Sequence, residues 1–260
     1  MSQPDNRLKL RQIALVARDL HAAEQDLTAI FGVQVAYRDP AVAKFGLENI
    51  VVPVGDQFLE VVAPTRAGTA AERYLERRGG DGGYMVILQC ADPAARDARI
   101  AALGIRTVLD IDYHDYDGVQ LHPQDTGGSF LEVDWAPDFE RPDGPWHPAG
   151  DHWRASKRTE ISAGIAAVEI QSADPETLAA RWGRILAAQP MAGDGLWTIS
   201  LGLGSLRFTE CRDERGEGLA GIDILLNDPD SARREASRRG RLVSPNQALI
   251  GGVRFALLTA

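Results

Sequence analysis

Two carboxylates stand alone inside apolar, strand-like runs of this 260-residue chain. Glu60 lies in Phe58-Leu59-Glu60-Val61-Val62 and Glu132 in Phe130-Leu131-Glu132-Val133-Asp134. Side chains of an extended segment alternate between faces, so each Glu shares a face with residues two positions away. On a covered face a carboxylate is costly unless it is paired, protonated or bound to a cation. Burial also raises its pKa toward neutrality, the property a proton-transfer group needs. On the open face of an antiparallel sheet the same alternation places acids harmlessly in water.

His122 opens the stretch HPQDTGGSFLEVD, His122 to Asp134. Its neutral-range pKa suits proton transfer or substrate orientation, or it holds the Pro123–Gly128 loop by hydrogen bonds. Gly127-Gly128 permits backbone shapes that approach a ligand closely, and equally turns the chain into a strand. The other histidines sit in poorer settings. His21 is in the first turn of a helix, and His147 and His152 are in an irregular segment. His114 belongs to DIDYHDYD, Asp110 to Asp117, whose acids lack the ligand spacing of a calcium loop.

A unit that occurs four times positions these residues. It reads as an apolar strand, an Asp, a short helix and usually a Gly: Ile13–Gly32, Met85–Gly104, Ala166–Leu186 and Ile222–Gly240. Such repetition decides architecture before single residues do. Asp19, Asp92, Asp174 and Asp228 stand at N-cap positions, and Pro93, Pro175 and Pro229 follow at the first helical position. Gly32, Gly104 and Gly240 close three helices, and the third copy ends instead at Ala188-Gln189-Pro190. Two or three β-like runs follow each helix: Gln34–Tyr37, Leu47–Val54 and Gln57–Val62 in the first copy; Ile105–Ile111, Val119–Leu121 and Phe130–Trp135 in the second. The third has Leu196–Leu201 and Ser205–Cys211, and the fourth Arg241–Val243 and Gly252–Leu258. Each unit is βαβββ. The fold class is α+β, with four such modules in tandem paired into two domains of curved mixed sheet; a parallel Rossmann sheet would need strict alternation.

The expected boundaries are 8–135 for the first domain, 136–162 for a linker and 163–260 for the second. Pro137, Pro142, Pro145 and Pro148 make the linker extended and unable to pack as a helix. Its Trp146 and Trp153 either pin it to the surface of one half or line a pocket mouth. The formal net charge of −9 argues against nucleic acid or an anionic membrane as partner. No apolar run reaches membrane-spanning length, and the polar start MSQPDNRLKLR has no signal-peptide core. Cys90 and Cys211 lie in apolar runs in different halves, which argues against a structural disulfide and for a reducing, cytoplasmic setting. The expected partner is a small molecule, and the expected state a monomer or homodimer.

The modules and the stretches QIALVARDL (Gln12–Leu20), FLEVVAP (Phe58–Pro64) and HPQDTGGSFLEVD resemble the vicinal oxygen chelate superfamily. That group includes glyoxalase I, methylmalonyl-CoA epimerase, extradiol dioxygenases and bleomycin-resistance proteins. The resemblance covers nearly the whole chain outside the linker. It implies a cleft enclosed by each pair of modules, with metal ligands near the start of each first strand and on each last strand. Carried over by position, these are Gln12 and Glu60, then Met85 and Glu132. Met85 departs from the pattern, because a thioether is a poor ligand for hard divalent ions. Gln12, Glu60 and Glu132 are left as an all-oxygen set for Mg²⁺, Mn²⁺, Zn²⁺ or Ni²⁺, or for no metal at all.

The implied chemistry is enolate or enediolate stabilisation in the N-terminal cleft, that of a lyase or isomerase acting on a small oxygenated substrate. Glu60, Glu132 and His122 are the acid/base candidates. The alternative is a metal-free protein that binds or sequesters a small molecule, of the bleomycin-resistance type. The second half carries Arg207 and Arg254 around the positions of the two acids, so it is read as a structural partner or an anion-tolerant pocket.

Overall fold

Each Asp–Pro signal begins a helical segment and all but one of the β-like runs become strands in the computed structural model, which describes residues 5–260. The start of the polar N-terminal stretch, residues 1–4, lies outside the described residues. The first module is β1 (Leu8–Val16), α1 (Leu20–Phe31), β2 (Leu47–Val54) and β3 (Gln57–Pro64). After helix α2 (Ala70–Arg78), the second is β4 (Gly82–Cys90), α3 (Pro93–Ala102), β5 (Thr107–Tyr113), β6 (Tyr116–Leu121), the short α4 (Pro123–Thr126) and β7 (Phe130–Trp135). The third is β8 (Ser162–Ser172), α5 (Pro175–Leu186), β9 (Met191–Gly193), β10 (Leu196–Ser200) and β11 (Ser205–Glu210). The fourth is β12 (Gly218–Leu226), α6 (Pro229–Arg238), β13 (Leu242–Ser244), β14 (Gln247–Ile250) and β15 (Val253–Thr259).

The four aspartates cap as their spacing predicts. Asp19, Asp92, Asp174 and Asp228 accept from the backbone N–H of Ala22, Ala95, Thr177 and Ser231 at 2.9, 3.0, 3.0 and 2.9 Å. Gly32 closes α1 in the left-handed region at φ 65°. In α5, where no glycine is available, Ala187 takes the same conformation at φ 54°.

The modules form two mixed sheets, in strand order β2-β3-β1-β4-β7-β6-β5 and β13-β14-β15-β12-β8-β11-β10-β9. In every module the first strand pairs in parallel with the last, a connection that requires the intervening helix as crossover. The expected run Gln34–Tyr37 is not a strand: it contributes one bridge, Tyr37 to Val51, and a 3₁₀ turn over Pro40–Phe45 follows.

By contacts, the chain divides into two compact units along other lines. One comprises the residues up to Arg11, Met85–Trp146 and Ala167–Leu219; the other comprises Gln12–Tyr84, His147–Ala166 and Ala220–Ala260. Within the first, Trp182 of α5 meets Phe208 edge-on at 5.5 Å. Within the second, Phe31 of α1 meets Phe255 at 5.2 Å, and Asp26 of α1 accepts from Arg239 and Arg241 at 3.2 and 2.7 Å.

The linker differs from the expected loose, extended chain. Proline excludes a long helix but allows 3₁₀ turns, which form at His147–Ala149 and Trp153–Ser156. Alternate residues near the start of β1 grip its first part. Arg7 pairs with Glu140 at 2.6 Å, Lys9 donates to the carbonyl of Phe139, and the buried Arg11 donates to the carbonyls of Pro142 and Gly144 at 2.6 and 2.9 Å. Trp146 lies edge-on to Tyr116 at 5.4 Å. In the other unit Trp153 lies edge-on to Phe58 at 4.9 Å, and Lys157 pairs with Asp56 in the β2–β3 turn at 2.7 Å. Both tryptophans are 1% exposed, so the linker is a packed strap.

Candidate functional site

Glu60 sits opposite Ala14 of β1 and Val51 of β2. Strand alternation puts Gln12, Asn49 and Phe58 on its face. Both carboxylate oxygens are engaged: Gln12 Nε2 donates to Oε2 at 2.9 Å, and Asn49 Nδ2 donates to Oε1 at 2.6 Å. Gln12 and Asn49 are buried, and the Asn49 carbonyl is itself fixed by the N–H of Asp39 at 2.8 Å. Phe58, two residues before Glu60 on the same strand, meets Trp153 edge-on at 4.9 Å. Tyr84 belongs to the same unit, and burial, then Tyr74 and Glu60, push its phenol up to about 12.

Glu132 belongs to the other unit, opposite Ile87 of β4 and Gln120 of β6. It is buried and accepts from Gln120 Nε2 at 3.1 Å; the same amide lies 3.5 Å from the sulfur of Met85. Burial raises the Glu132 carboxyl above the usual carboxylate range, opposed by hydrogen bonds from Gln120 and Asp134. Asp134 is fully buried on the same face and lies far above that range, first through burial and then through the charge of Glu132. Its Oδ2 accepts from the phenol of Tyr116. Gly118 makes room for it: a Cβ there would come within 2.5 Å of Asp134 Oδ1.

Gln12 and Glu60 are therefore brought together, and Glu132 gathers Gln120, Met85 and Asp134. His122 is half-buried and caps α4, its Nδ1 accepting from the N–H of Gln124 at 3.2 Å and lying 3.4 Å from Arg106 Nη2. Sequence reasoning missed Asn49, Gln120, Asp134 and Tyr116. The first three carried the signal that exposed Glu60, a polar side chain inside an apolar run; Tyr116 carried none.

Among the described residues no three His, Cys, Asp or Glu side chains gather as metal ligands. Gln12 and Asn49 turn N–H donors toward Glu60, and Gln120 turns one toward Glu132. Donors of this kind stabilise a carboxylate, whereas a hard divalent ion needs oxygens facing it. As arranged, these residues do not fit a divalent metal. In the second half the register places Arg207 where the first module has Glu60, and Ala256 where the second has Glu132, with Arg254 two residues earlier; Arg207 and Arg212 lie 3.6 and 3.7 Å from the buried Glu169.

Comparison with known proteins agrees with this architecture. The chain belongs to the glyoxalase-like domain family, which it matches over residues 13–186, and so to the vicinal oxygen chelate superfamily. A hypothetical protein from Staphylococcus aureus is similar in structure, with 13% identity and a TM-score of 0.65 over 95% of this chain and 97% of that one. A mutant of 4-hydroxymandelate synthase from Streptomyces coelicolor shares 16% identity and a TM-score of 0.62 over 90% of this chain and 75% of its own. Methylmalonyl-CoA epimerase from Streptomyces coelicolor, solved with 2-nitronate-propionyl-CoA, covers 50% of this chain with 99% of its own, at 21% identity and a TM-score of 0.45. No curated protein matches in sequence. These likenesses concern the fold, and function has to be argued from the residues. No helix among the described residues is long and apolar enough to cross a membrane.

Proposed function

We propose that this protein is an enzyme of the lyase or isomerase type that acts on a small oxygenated or thioester substrate, with Glu60 and Glu132 as its proton-moving carboxyls. The observation that carries this reading is the setting of Glu60, whose two oxygens are each held by a buried side-chain amide. A carboxylate fixed in this way is oriented for transfer at carbon. It takes a proton from the carbon next to a carbonyl, the C–H electron pair moves into a carbon–carbon π bond, and the carbonyl oxygen becomes an oxyanion. A hydrogen-bond donor stabilises that oxygen, and delivery of a proton to the opposite face of the same carbon, or to the neighbouring carbon, completes an isomerisation. Glu132, buried beside Asp134, offers a carboxyl that holds a proton more firmly than one in water. No step is assigned to a metal, because the donors face the wrong way for one.

A second reading has its own support. The hydrogen-bonding cluster of Gln12, Asn49 and Glu60 also suits a protein that holds a small molecule without changing it. Exchange of the substrate α-proton separates the two. In D₂O, with a glutathione hemithioacetal and a 2-methyl-branched acyl thioester as probes, NMR should show deuterium entering the α-position. Glu60→Gln and Glu132→Gln should each slow this roughly 100-fold. Wild-type exchange no faster than buffer, with binding retained, would favour the sequestering reading.

A further inference from the structure

The seventh residue after each N-cap aspartate is Asp26 in α1, Arg99 in α3, Arg181 in α5 and Glu235 in α6. These helices pack in pairs, α1 with α6 in one unit and α3 with α5 in the other. The first pair is neutralised from within: Asp26 takes Arg239 and Arg241, and Glu235 takes Arg238 at 2.5 Å. The second pair has arginine at both equivalent positions. Arg184 occupies the place of Arg238, so the opposite charges of α6 become a like-charged Arg181–Arg184 pair in α5. Like charges three residues apart on a helix repel. Among the described residues no side-chain hydrogen bond or ion pair engages either of them.

Both arginines line a pocket of about 330 Å³ within this unit. Leu103, Ile105 and Ile185 supply its apolar lining, and Gln124 and Asp125 add polar groups. Asp125 does not balance the charge, because Arg106 holds it by two bonds of 2.7 and 2.9 Å and keeps its carboxyl well below the usual range. Arg99 does not either: its Nε donates to the carbonyl of Arg184 at 2.6 Å and adds a further cation. A local excess of positive charge therefore stands on a protein whose net charge is −9.

We propose that this pocket binds a small organic anion, a carboxylate or phosphate carried on a compact apolar body, with Arg181 and Arg184 as its charge partners. Guanidinium groups suit both anions through paired N–H donors. The pocket shares no residue with the clusters around Glu60 and Glu132, so it stands or falls independently of the reaction proposed above.

Titrating ¹⁵N-labelled protein with phenyl phosphate, benzoate and the neutral benzyl alcohol tests the assignment. The two anions should saturate at millimolar concentrations, with shifts in Leu103–Ile105 and Arg181–Ile185, while benzyl alcohol does not. Their ranking tells phosphate from carboxylate. Arg181→Gln and Arg184→Gln should each weaken the anions roughly tenfold. Arg181→Glu, which recreates the α6 pairing inside α5, should abolish binding. Equal binding of benzyl alcohol, no saturable anion binding, or affinities unchanged in both Gln variants would overturn the proposal. Both arginines reach solvent, so the substitutions leave the fold intact.

Discussion

The phenol of Tyr116 donates a hydrogen bond to the carboxyl of Asp134, and both groups are shut away from water. A carboxyl in that position, with Glu132 as neighbour, keeps its proton at pH values where a free Asp has lost it. The folded state then binds more protons than the unfolded state between the ordinary Asp pKa and the raised one. Stability falls as pH rises through that window.

Asp134→Asn should therefore fold, and should lose less stability than the wild type between pH ~5 and pH ~8. Urea denaturation at the two pH values checks this. An unchanged slope would mean that Asp134 is ionised in the native state.

The strap should be as sensitive as core. Trp153 is buried edge-on against Phe58, so Trp153→Ala should cost about 3–5 kcal/mol in denaturant unfolding. A surface-pinned linker would lose far less.

Thiol chemistry should separate the two cysteines. Burial pushes the Cys90 thiol up to about 12, so almost none of it is thiolate near neutrality. A water-soluble disulfide reagent at neutral pH should react with Cys211, which is half-exposed, and reach Cys90 only after denaturation. Mass spectrometry of the modified peptides reads the order.

The caps allow a clean stability test. Asp92 accepts from Ala95 N–H at the start of α3, and Asp92→Ala should cost about 1 kcal/mol by thermal or urea unfolding. Asp92→Ser should recover most of it.

The sequence shows clearly whatever is settled within a few residues. A capping Asp starts the helix of every copy, followed by Pro in three of them, so all four modules were visible, as was the replacement of Glu60 by Arg207 in register. Local rules were silent where distant partners decide. Helix α2 lacks the Asp–Pro signal and starts on Thr69, whose side chain caps Glu72 N–H at 3.0 Å. The run Gln34–Tyr37 reads as β yet finds only one bridging partner. The lone acids were legible, but the amides that hold them were not, because Asn49 and Gln120 come to them across neighbouring strands. That orientation is also why a reading by position suggested a metal set that the donors do not match.

The strap has a consequence for dissecting the molecule. A cut at Trp135 follows the last strand of the first sheet, yet it would sever Trp146 from Tyr116 and Trp153 from Phe58. The shorter N-terminal fragment would carry bare aromatic hollows and stick to itself. The severed tail would hang from the other fragment as an oily streamer. A fission made just before Ser162 keeps the tryptophans with the rings they cover, so the connector descends with the N-terminal half and is not a neutral hinge to be trimmed.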